Sequence, residues 1–233
     1  MVDIEMSKII IGAGCADRWW FGVAWNGTDL VATARGSTRT EALKIIRRCV
    51  PPDVETTAVG DLPDFVLSVV SMLNELERGN EEHKRFSLSE HFISPPLRRI
   101  LTVASAIPIG YVSTYGDIAD AAGSAARAVG GVMARNPLYP IVPCHRVVGR
   151  DMALVGYGGK QDDAALTAKL ARLEVEARGF RDDRIIELDE CALVVYPVER
   201  VIEAARLREE KARRLKMNAA KKAKAEKRQL KLF

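Results

Sequence analysis

Short apolar runs separated by polar breaks open the chain and predict a small β-sheet. The runs cover residues 8–12, 19–25 and 30–32, and Asn26-Gly27 between the last two is a strong hairpin signal. All three tryptophans of the chain fall in this region. They either fill the core of the sheet, which we favour, or form a platform on which bases stack.

Two helices are predicted to follow these strands. Thr38-Arg39-Thr40-Glu41 has the spacing of a capping box and precedes an amphipathic stretch that Pro51-Pro52 ends. A second amphipathic helix is predicted from about Asp64 to Glu77. The polar, charged segment after it is typical of a linker.

The second half of the chain predicts two short helices joined by a tight turn. A further helix is expected to begin upstream at Ser94-Pro95-Pro96. Thr114-Tyr115-Gly116-Asp117 has capping-box spacing, so Tyr115 falls in the first turn of the next helix. Gly123-Ser124 breaks that helix, and Ser124 can cap another over residues 125–135. Two such helices form a helix-turn-helix.

The second helix of this pair is rich in small residues. Ala126, Ala128, Gly130 and Gly131 are poor at reading base edges, and each glycine costs a helix about 1 kcal/mol relative to alanine. Small residues do let another backbone approach closely. They fit either docking in a DNA minor groove or tight helix–helix packing inside the domain, and the sequence leaves both open.

A cysteine beside a histidine is the main candidate for chemistry. Adjacent residues of a strand point to opposite faces, so Cys144 and His145 can cooperate only at a turn, which Pro143 supplies. An imidazole that takes the thiol proton and lowers the thiol pKa would make the sulfur a nucleophile. The alternative is a buried structural cysteine beside a histidine that satisfies a backbone carbonyl.

Six ordered motifs around this pair resemble those of the O6-alkylguanine-DNA alkyltransferases. The resemblance covers about residues 94–180. The motifs are Ile107-Pro108-Ile109-Gly110, Ser113-Thr114-Tyr115-Gly116, Ala126-Arg127-Ala128-Val129-Gly130-Gly131, Asn136-Pro137, Pro143-Cys144-His145-Arg146-Val147 and Gly156-Tyr157-Gly158-Gly159.

The resemblance implies an α+β fold. A small N-terminal α/β domain is followed by a mainly helical, winged-helix-like active-site domain that contains the helix-turn-helix. The boundaries that we expect are residues 1–80 for the first domain, 81–93 for a linker, 94–180 for the active-site domain and 181–233 for a basic C-terminal extension.

The resemblance also implies repair of O6-alkylguanine, and of O4-alkylthymine, in double-stranded DNA. Cys144 would take the alkyl group irreversibly from an extruded base and act once. His145 would be the base, acting through water, and Glu174 would orient it, with Glu176 close by as a second candidate. Asn136 would brace the turn that holds the thiol, and Tyr115 would help to turn the nucleotide.

The remaining expected site residues contact DNA or form the alkyl pocket. Arg127 would fill the gap in the base stack, because its planar guanidinium can stack and donate together, and Arg135 would contact a phosphate. Ala126, Ala128, Gly130 and Gly131 would dock in the minor groove. The expected pocket residues are Tyr139, Pro140, Val155, Tyr157, Gly158 and Gly159. Gly158 stands where the family often has serine, and Tyr139 where proline is common.

The charge is divided unevenly between the body of the protein and its C-terminus. The whole chain carries +4, but residues 200–233 hold 13 Lys and Arg against 4 Asp and Glu, which leaves the rest at −5. The segments 185–188 and 192–196 predict a hairpin, and a basic helix-like stretch follows. That stretch is either a frayed or disordered tail or a non-specific DNA clamp.

Composition narrows the compartment and the partners. The four cysteines show no C-x-x-C spacing, so neither a zinc site nor a disulfide framework is indicated, and we expect no metal or cofactor. With no signal peptide or membrane span expected, the protein should be a cytoplasmic, or in a eukaryote nuclear, monomer. Two other functions stay open: a non-enzymatic sensor of alkylated bases, although such sensors lack the motif cysteine, and a helix-turn-helix regulator.

Overall fold

The structure, a computed structural model, describes residues 8–81 and 86–229, with side chains through residue 219 and at residue 221. The N-terminal stretch in which no signal peptide was expected lies partly outside the described residues. So do positions 82–85 of the predicted linker and residues 230–233.

The first half of the chain forms the predicted small β-sheet, together with one short strand, Thr56–Ala58, that the sequence did not predict. Its strands are β1 (Ile9–Ala16), β2 (Trp19–Asn26), β3 (Asp29–Gly36) and β4 (Thr56–Ala58), in the spatial order β3-β2-β1-β4. The first three pair antiparallel, and β4 joins β1 in parallel. Trp25 is buried and meets Phe65 edge-on, which confirms a core role for that tryptophan, whereas Trp19 and Trp20 are half-buried.

Both helices predicted for this half are present. Helix α1 (Arg39–Cys49) begins after Thr38, whose hydroxyl accepts the expected capping bond from the Glu41 amide. It lies so close to the sheet that a Cβ on Gly36 would stand 2.5 Å from the Ala42 nitrogen, and only glycine fits there. Helix α2 (Asp64–Glu77) packs against β1 and β2.

The second half contains the predicted helix-turn-helix and a second sheet. The described helices are α3 (Pro95–Ser105), α4 (Tyr115–Ala121), α5 (Ala126–Ala134) and α6 (Asp163–Glu176). The Thr114 hydroxyl caps α4 as predicted, and α5 begins one residue later than the sequence suggests. The sheet has the strand order β6-β5-β8-β7, with β5 (Tyr111–Thr114), β6 (Val147–Val148), β7 (Arg184–Glu187) and β8 (Ala192–Pro197).

The C-terminal segment is joined to this second sheet. The predicted hairpin is formed by β7 and β8, and β8 pairs antiparallel with β5. Helix α7 (Val198–Gln229) follows directly, and its first turn is buried through Val198 and Val201. As far as the structure describes it, the basic stretch is therefore helical from its first residue to Gln229. No helix among the described residues is both long and apolar enough to cross a membrane.

The two halves meet around the turn that carries the Cys-His pair. Thr33 of β3 donates its amide to the Pro137 carbonyl at 2.7 Å and its hydroxyl to the Tyr139 carbonyl at 2.9 Å. One apolar core runs from Phe21 in the first sheet to Val195 in the second. The segment leading to Cys144 is thus fixed on both sides by packed secondary structure.

Candidate active site

Cys144 opens a single 3₁₀ turn over Cys144–Arg146, directly after Pro143. Its side chain is buried, with 8% of the residue exposed. Asn136 braces the preceding chain: its Nδ2 donates to the Val142 carbonyl at 2.8 Å, and its Oδ1 accepts from the Leu138 amide at 3.0 Å. The turn that sequence reasoning required between Cys144 and His145 is present.

The thiol lies in the wall of an open cavity of about 520 Å³. The cavity is lined by helix-turn-helix residues on one side and by the loop after β6 on the other. Its lining residues are Tyr115, Ala126, Arg127, Gly130, Met133, Ala134, Cys144, Val155, Gly156, Tyr157, Gly158, Gly159, Lys160 and Gln161. Most of the residues expected to hold the base, the alkyl group and the DNA therefore converge on one space.

Tyr139 and Pro140 do not line this cavity, contrary to expectation. Pro140 is buried, and the Tyr139 ring lies against the guanidinium groups of Arg35 and Arg172, at 5.4 and 5.5 Å from the ring centre. The Tyr139 ring thus fills the space between the first sheet and α6, because the two cations there attract the face of the ring. Five lining residues were not predicted: Met133, Ala134, Gly156, Lys160 and Gln161.

Glu176, not Glu174, contacts His145. Glu176 Oε1 lies 2.7 Å from His145 Nε2, whereas the Glu174 side chain is exposed on the outer side of α6. The reason is helical phase. Lys169, Leu173 and Glu176 recur at i, i+4 and i+7 and face the protein interior, and Glu174 lies about 100° around the helix from Leu173.

Arg146 completes the group of buried charges. Its Nε donates to Glu176 Oε2 at 2.7 Å, and its Nη1 donates to Glu81 at 2.5 Å and to the Ile107 carbonyl at 2.8 Å. The guanidinium joins the active-site turn to α6 and to the chain just after α2. Arg146 therefore bridges these segments of the chain.

The surroundings of His145 keep its ring neutral at pH 7. Burial lowers the His145 pKa to about 4, although the neighbouring carboxylate of Glu176 opposes this shift. Burial alone would raise the Glu176 pKa, but hydrogen bonds and charge from His145 and Arg146 overcome it and hold that pKa at about 2. No group among the described residues bonds His145 Nδ1, which is buried. The ring therefore has one free acceptor nitrogen.

The thiol of Cys144 is not acidified in this structure. Burial raises its pKa, and this effect outweighs the hydrogen bond from Asn136 and the positive charges of Lys169 and Arg172, which favour the thiolate. The lowering expected from the adjacent histidine is therefore wrong. The sequence neighbour cannot supply a charge when it is itself buried and neutral.

Lys169 is a buried cation near the thiol that sequence reasoning missed. Its Nζ donates to the carbonyls of Val147 and Gly156 at 2.6 and 2.9 Å, and burial lowers its pKa to about 8. These two bonds tie the start of β6 to the cavity loop. The sequence signal that could have found Lys169 is its spacing of four residues from Leu173, which puts both side chains on the inner face of α6.

A second ion-pair network links α6 to the first half of the chain. Arg172 donates to both carboxylate oxygens of Glu77, each at 3.2 Å, and Arg35 of β3 pairs with the same carboxylate. Burial alone would raise the Glu77 pKa, but the two arginines hold it below its usual value. The far ends of β3 and α2 are thereby fixed to the helix that carries Lys169 and Glu176.

The expected DNA-contacting residues form an exposed surface on α5. Ala126, Arg127, Ala128 and Arg135 are exposed, while Val129 and Met133 are buried against α4 and the core. Burial raises the pKa of Tyr115, so its hydroxyl stays a neutral donor. Among the described residues, no group of three or more His, Cys, Asp or Glu side chains is placed to hold a metal ion.

Comparison with known proteins places this arrangement in a family. Residues 95–178 match the family described as 6-O-methylguanine DNA methyltransferase, DNA binding domain. A methylated-DNA–protein-cysteine methyltransferase of Mycobacterium leprae is 46% identical over 152 residues, which cover 63% of this chain and 85% of that protein. An Archaeoglobus fulgidus protein of the same name is 46% identical over 80 residues, covering 33% of this chain and 54% of its own length.

A solved structure extends the likeness beyond the matched domain. A variant of the Mycobacterium tuberculosis O6-methylguanine methyltransferase superposes with a TM-score of 0.50 at 27% identity, covering 75% of this chain and 96% of that chain. The likeness therefore includes the first half as well as the helix-turn-helix. The chain belongs to the methylated-DNA–protein-cysteine methyltransferase family of DNA repair enzymes.

Proposed function

We propose that this protein repairs O6-alkylguanine in double-stranded DNA by moving the alkyl group irreversibly onto Cys144. The observation that carries the proposal is the single cavity that contains the thiol, Tyr115 and Arg127. A base that leaves the duplex beneath α5 would enter this cavity, and its alkyl carbon would meet Cys144, the only thiol among the lining residues that the structure describes.

The surface of α5 supports docking against a nucleic acid. A Cβ on Gly130 would meet nothing closer than the Tyr115 ring at 4.0 Å, and one on Gly131 would meet only the mobile end of Arg135 at 3.5 Å. Packing inside the protein therefore does not require glycine at either position. The reason for two costly glycines must lie outside the chain, and a narrow minor groove is a surface that rewards a smooth helix.

Extrusion of the base would leave a gap in the stack, and the Arg127 guanidinium would fill it. Its exposed side chain stands at the cavity rim, opposite the loop over Tyr157–Gly159. A guanidinium can stack on bases and donate to them together. Tyr115, at the start of α4, would hold the rotated nucleotide with its neutral hydroxyl.

The alkyl transfer uses the free nitrogen of His145. The thiol proton passes through water to Nδ1, while Glu176 holds the opposite nitrogen and stabilises the imidazolium that forms. The Cys144 sulfur then forms a bond to the alkyl carbon as the bond from that carbon to O6 breaks. The electron pair of the broken bond stays on guanine. Guanine takes up one proton, which balances the proton that the thiol lost, and His145 returns to its neutral form. A thioether remains, so each molecule reacts once. The same attack would serve O4-alkylthymine.

Intact-protein mass measurement tests the proposal. After incubation with a duplex that contains O6-methylguanine, we expect one added methyl group per molecule, on Cys144. Cys144→Ala should take up none and still bind the duplex, while Cys191→Ala, a half-buried thiol elsewhere, should react like the parent protein.

Three results would contradict the proposal. Binding of the lesion without any adduct would favour a non-enzymatic sensor, and selective binding of an undamaged sequence would favour a regulator. Release of several equivalents of product per molecule would exclude a single-use thiol.

A further inference from the structure

Helix α7 leaves the body of the protein beside the cavity loop. Its first turn packs through Val198 and Val201 onto a small core to which Met152 and Leu154 also belong. About two turns further on, Arg208 Nη2 donates to the Asp151 carbonyl at 2.8 Å. The base of α7 is thus fixed to the segment that leads directly into the cavity wall.

The strand before α7 is also tied to the helix-turn-helix. The Tyr196 hydroxyl of β8 bonds the Asp117 carboxylate in the first turn of α4. Asp117 in turn accepts a bond from Thr114, the residue that caps this helix. The C-terminal segment is therefore anchored to both elements that border the candidate DNA surface, and its direction is set by them.

Beyond this anchor the helix is exposed and strongly basic. Every described side chain from Arg206 onward is exposed, and residues 206–221 contain seven Lys or Arg against two Asp or Glu. Those two acids, Glu209 and Glu210, precede Arg213 and Arg214 by four residues, a spacing that stabilises an isolated helix. Lys211, Lys216 and Lys221 have no acid at that spacing on either side.

The apolar residues of this segment do not form an interface for another helix. Leu207, Leu215 and Met217 are exposed. At about 100° per residue, Leu215 and Met217 lie about 160° apart around α7 with Leu207 between them. A helix pair needs instead a continuous stripe at three- and four-residue spacing. The positive charge surrounds this part of α7, so its partner must be attracted by that charge. A polyanion is such a partner.

We propose that α7 is a second DNA contact, a basic arm that runs along the phosphates of the duplex flanking the lesion. From Arg206 to Gln229 the helix spans about 36 Å, the length of about ten base pairs. The inference rests on the proposed function in so far as duplex DNA is the substrate. It does not depend on the chemistry at Cys144, because the arm contacts phosphates and not the damaged base.

Salt-dependent binding of two duplexes tests the arm. The full-length triple variant Lys211→Gln, Lys216→Gln, Lys221→Gln is compared with the parent protein on a long duplex, about 30 base pairs, and a short one, about 10 base pairs, each with a central O6-methylguanine. The control triple variant Arg39→Gln, Lys44→Gln, Arg47→Gln removes the same charge from exposed positions on α1. Transfer from free O6-benzylguanine reports the state of the active site.

On the long duplex, the arm variant should bind about tenfold more weakly at 0.1 M salt. The slope of log affinity against log salt should fall in magnitude by about 2 to 3, because each lost phosphate contact removes about 0.9. On the short duplex the loss should be much smaller, and the control variant should resemble the parent on both. Free-base transfer should stay unchanged in every variant.

An unchanged slope on the long duplex would overturn the proposal. So would a parent protein that sediments as a dimer and an arm variant that sediments as a monomer, because α7 would then serve self-association. Failure of all variants and the parent to react with the free base would refute the chemistry proposed for Cys144, and the duplex comparison would still decide the role of α7.

Discussion

His145 Nε2 lies 2.7 Å from Glu176 Oε1, and this contact decides which nitrogen of the imidazole can act as a base. A carboxylate accepts hydrogen bonds only, so the ring must carry its proton on Nε2. Nδ1 is then the acceptor, and no group among the described residues occupies it. The histidine that follows the thiol in sequence therefore keeps one basic nitrogen, and its ring is oriented by a residue far along the chain.

Replacing Glu176 tests whether its carboxylate activates His145 or only fills a buried space. Glu176→Gln leaves the side chain isosteric but removes the charge that stabilises an imidazolium, so we expect alkyl transfer to fall about 10- to 100-fold. Glu174→Gln is the matched control, because that side chain is exposed, and its rate should equal that of the parent. The rate constant for transfer from free O6-benzylguanine measures both. Equal losses in the two variants would contradict the assignment.

The same pair of residues predicts a loss of stability in acid. The folded pKa of His145 is about 4 against 6.5 for a free histidine, so between these values the unfolded chain binds more protons and stability falls with falling pH. Glu176 adds a further loss from pH 4.5 to about 2, since its folded pKa is also lowered. For His145 alone the change is about 3 kcal/mol at most.

Urea unfolding from pH 7 to pH 4 measures this change. His145→Gln should flatten the pH dependence of the free energy of unfolding, because the titrating ring is gone. His91→Gln, at an exposed histidine, should leave the dependence intact. A His145 variant with the parent's slope would show that other groups cause the acid sensitivity.

Loss of the Arg127 side chain should affect duplex repair more than the transfer chemistry. Arg127→Ala removes the group proposed to fill the vacated stack, so the extruded state loses a few kcal/mol and repair in duplex slows about 100-fold. Reaction with the free base should be unchanged. Arg127→Lys should restore little, because an ammonium cannot stack as a guanidinium does. Equal slowing on duplex and free base would remove the role.

A methyl group on the second helix should improve the fold and harm DNA binding. Gly130→Ala fits the free protein, as its Cβ would stand 4.0 Å from the Tyr115 ring, and alanine stabilises a helix by about 1 kcal/mol over glycine. We expect a higher melting temperature together with weaker affinity for duplex DNA. If affinity is unchanged, α5 does not dock through this position.

Local signals in the sequence predicted the elements that place the site. The capping residues Thr38 and Thr114 begin α1 and α4 as expected, and Gly123 ends the first helix of the pair, because these effects act within one helical turn. The convergence of Cys144, Tyr115 and Arg127 was also anticipated, through the motifs. That expectation came from the family resemblance that the motifs carry.

Long-range electrostatics could not be predicted in the same way. The choice between Glu174 and Glu176 depends on the phase of α6, which the motif does not specify, so the motif pointed to the wrong acid. The thiol pKa depends on burial and on Lys169, which lies 25 residues after Cys144. Neither the acid that contacts His145 nor the pKa of the Cys144 thiol is determined by neighbours in sequence.

The pairing of β8 with β5 bears on how small this enzyme can be made. β5 leads straight into Tyr115, and β8 covers one of its two edges, while the Val198 amide bonds the Gly110 carbonyl at the start of the same strand. A protein cut at residue 180 would keep every proposed catalytic group yet bare a strand edge beside them, and bare edges recruit strands from other molecules. A minimal enzyme built from this chain must therefore retain the hairpin and the first turns of α7.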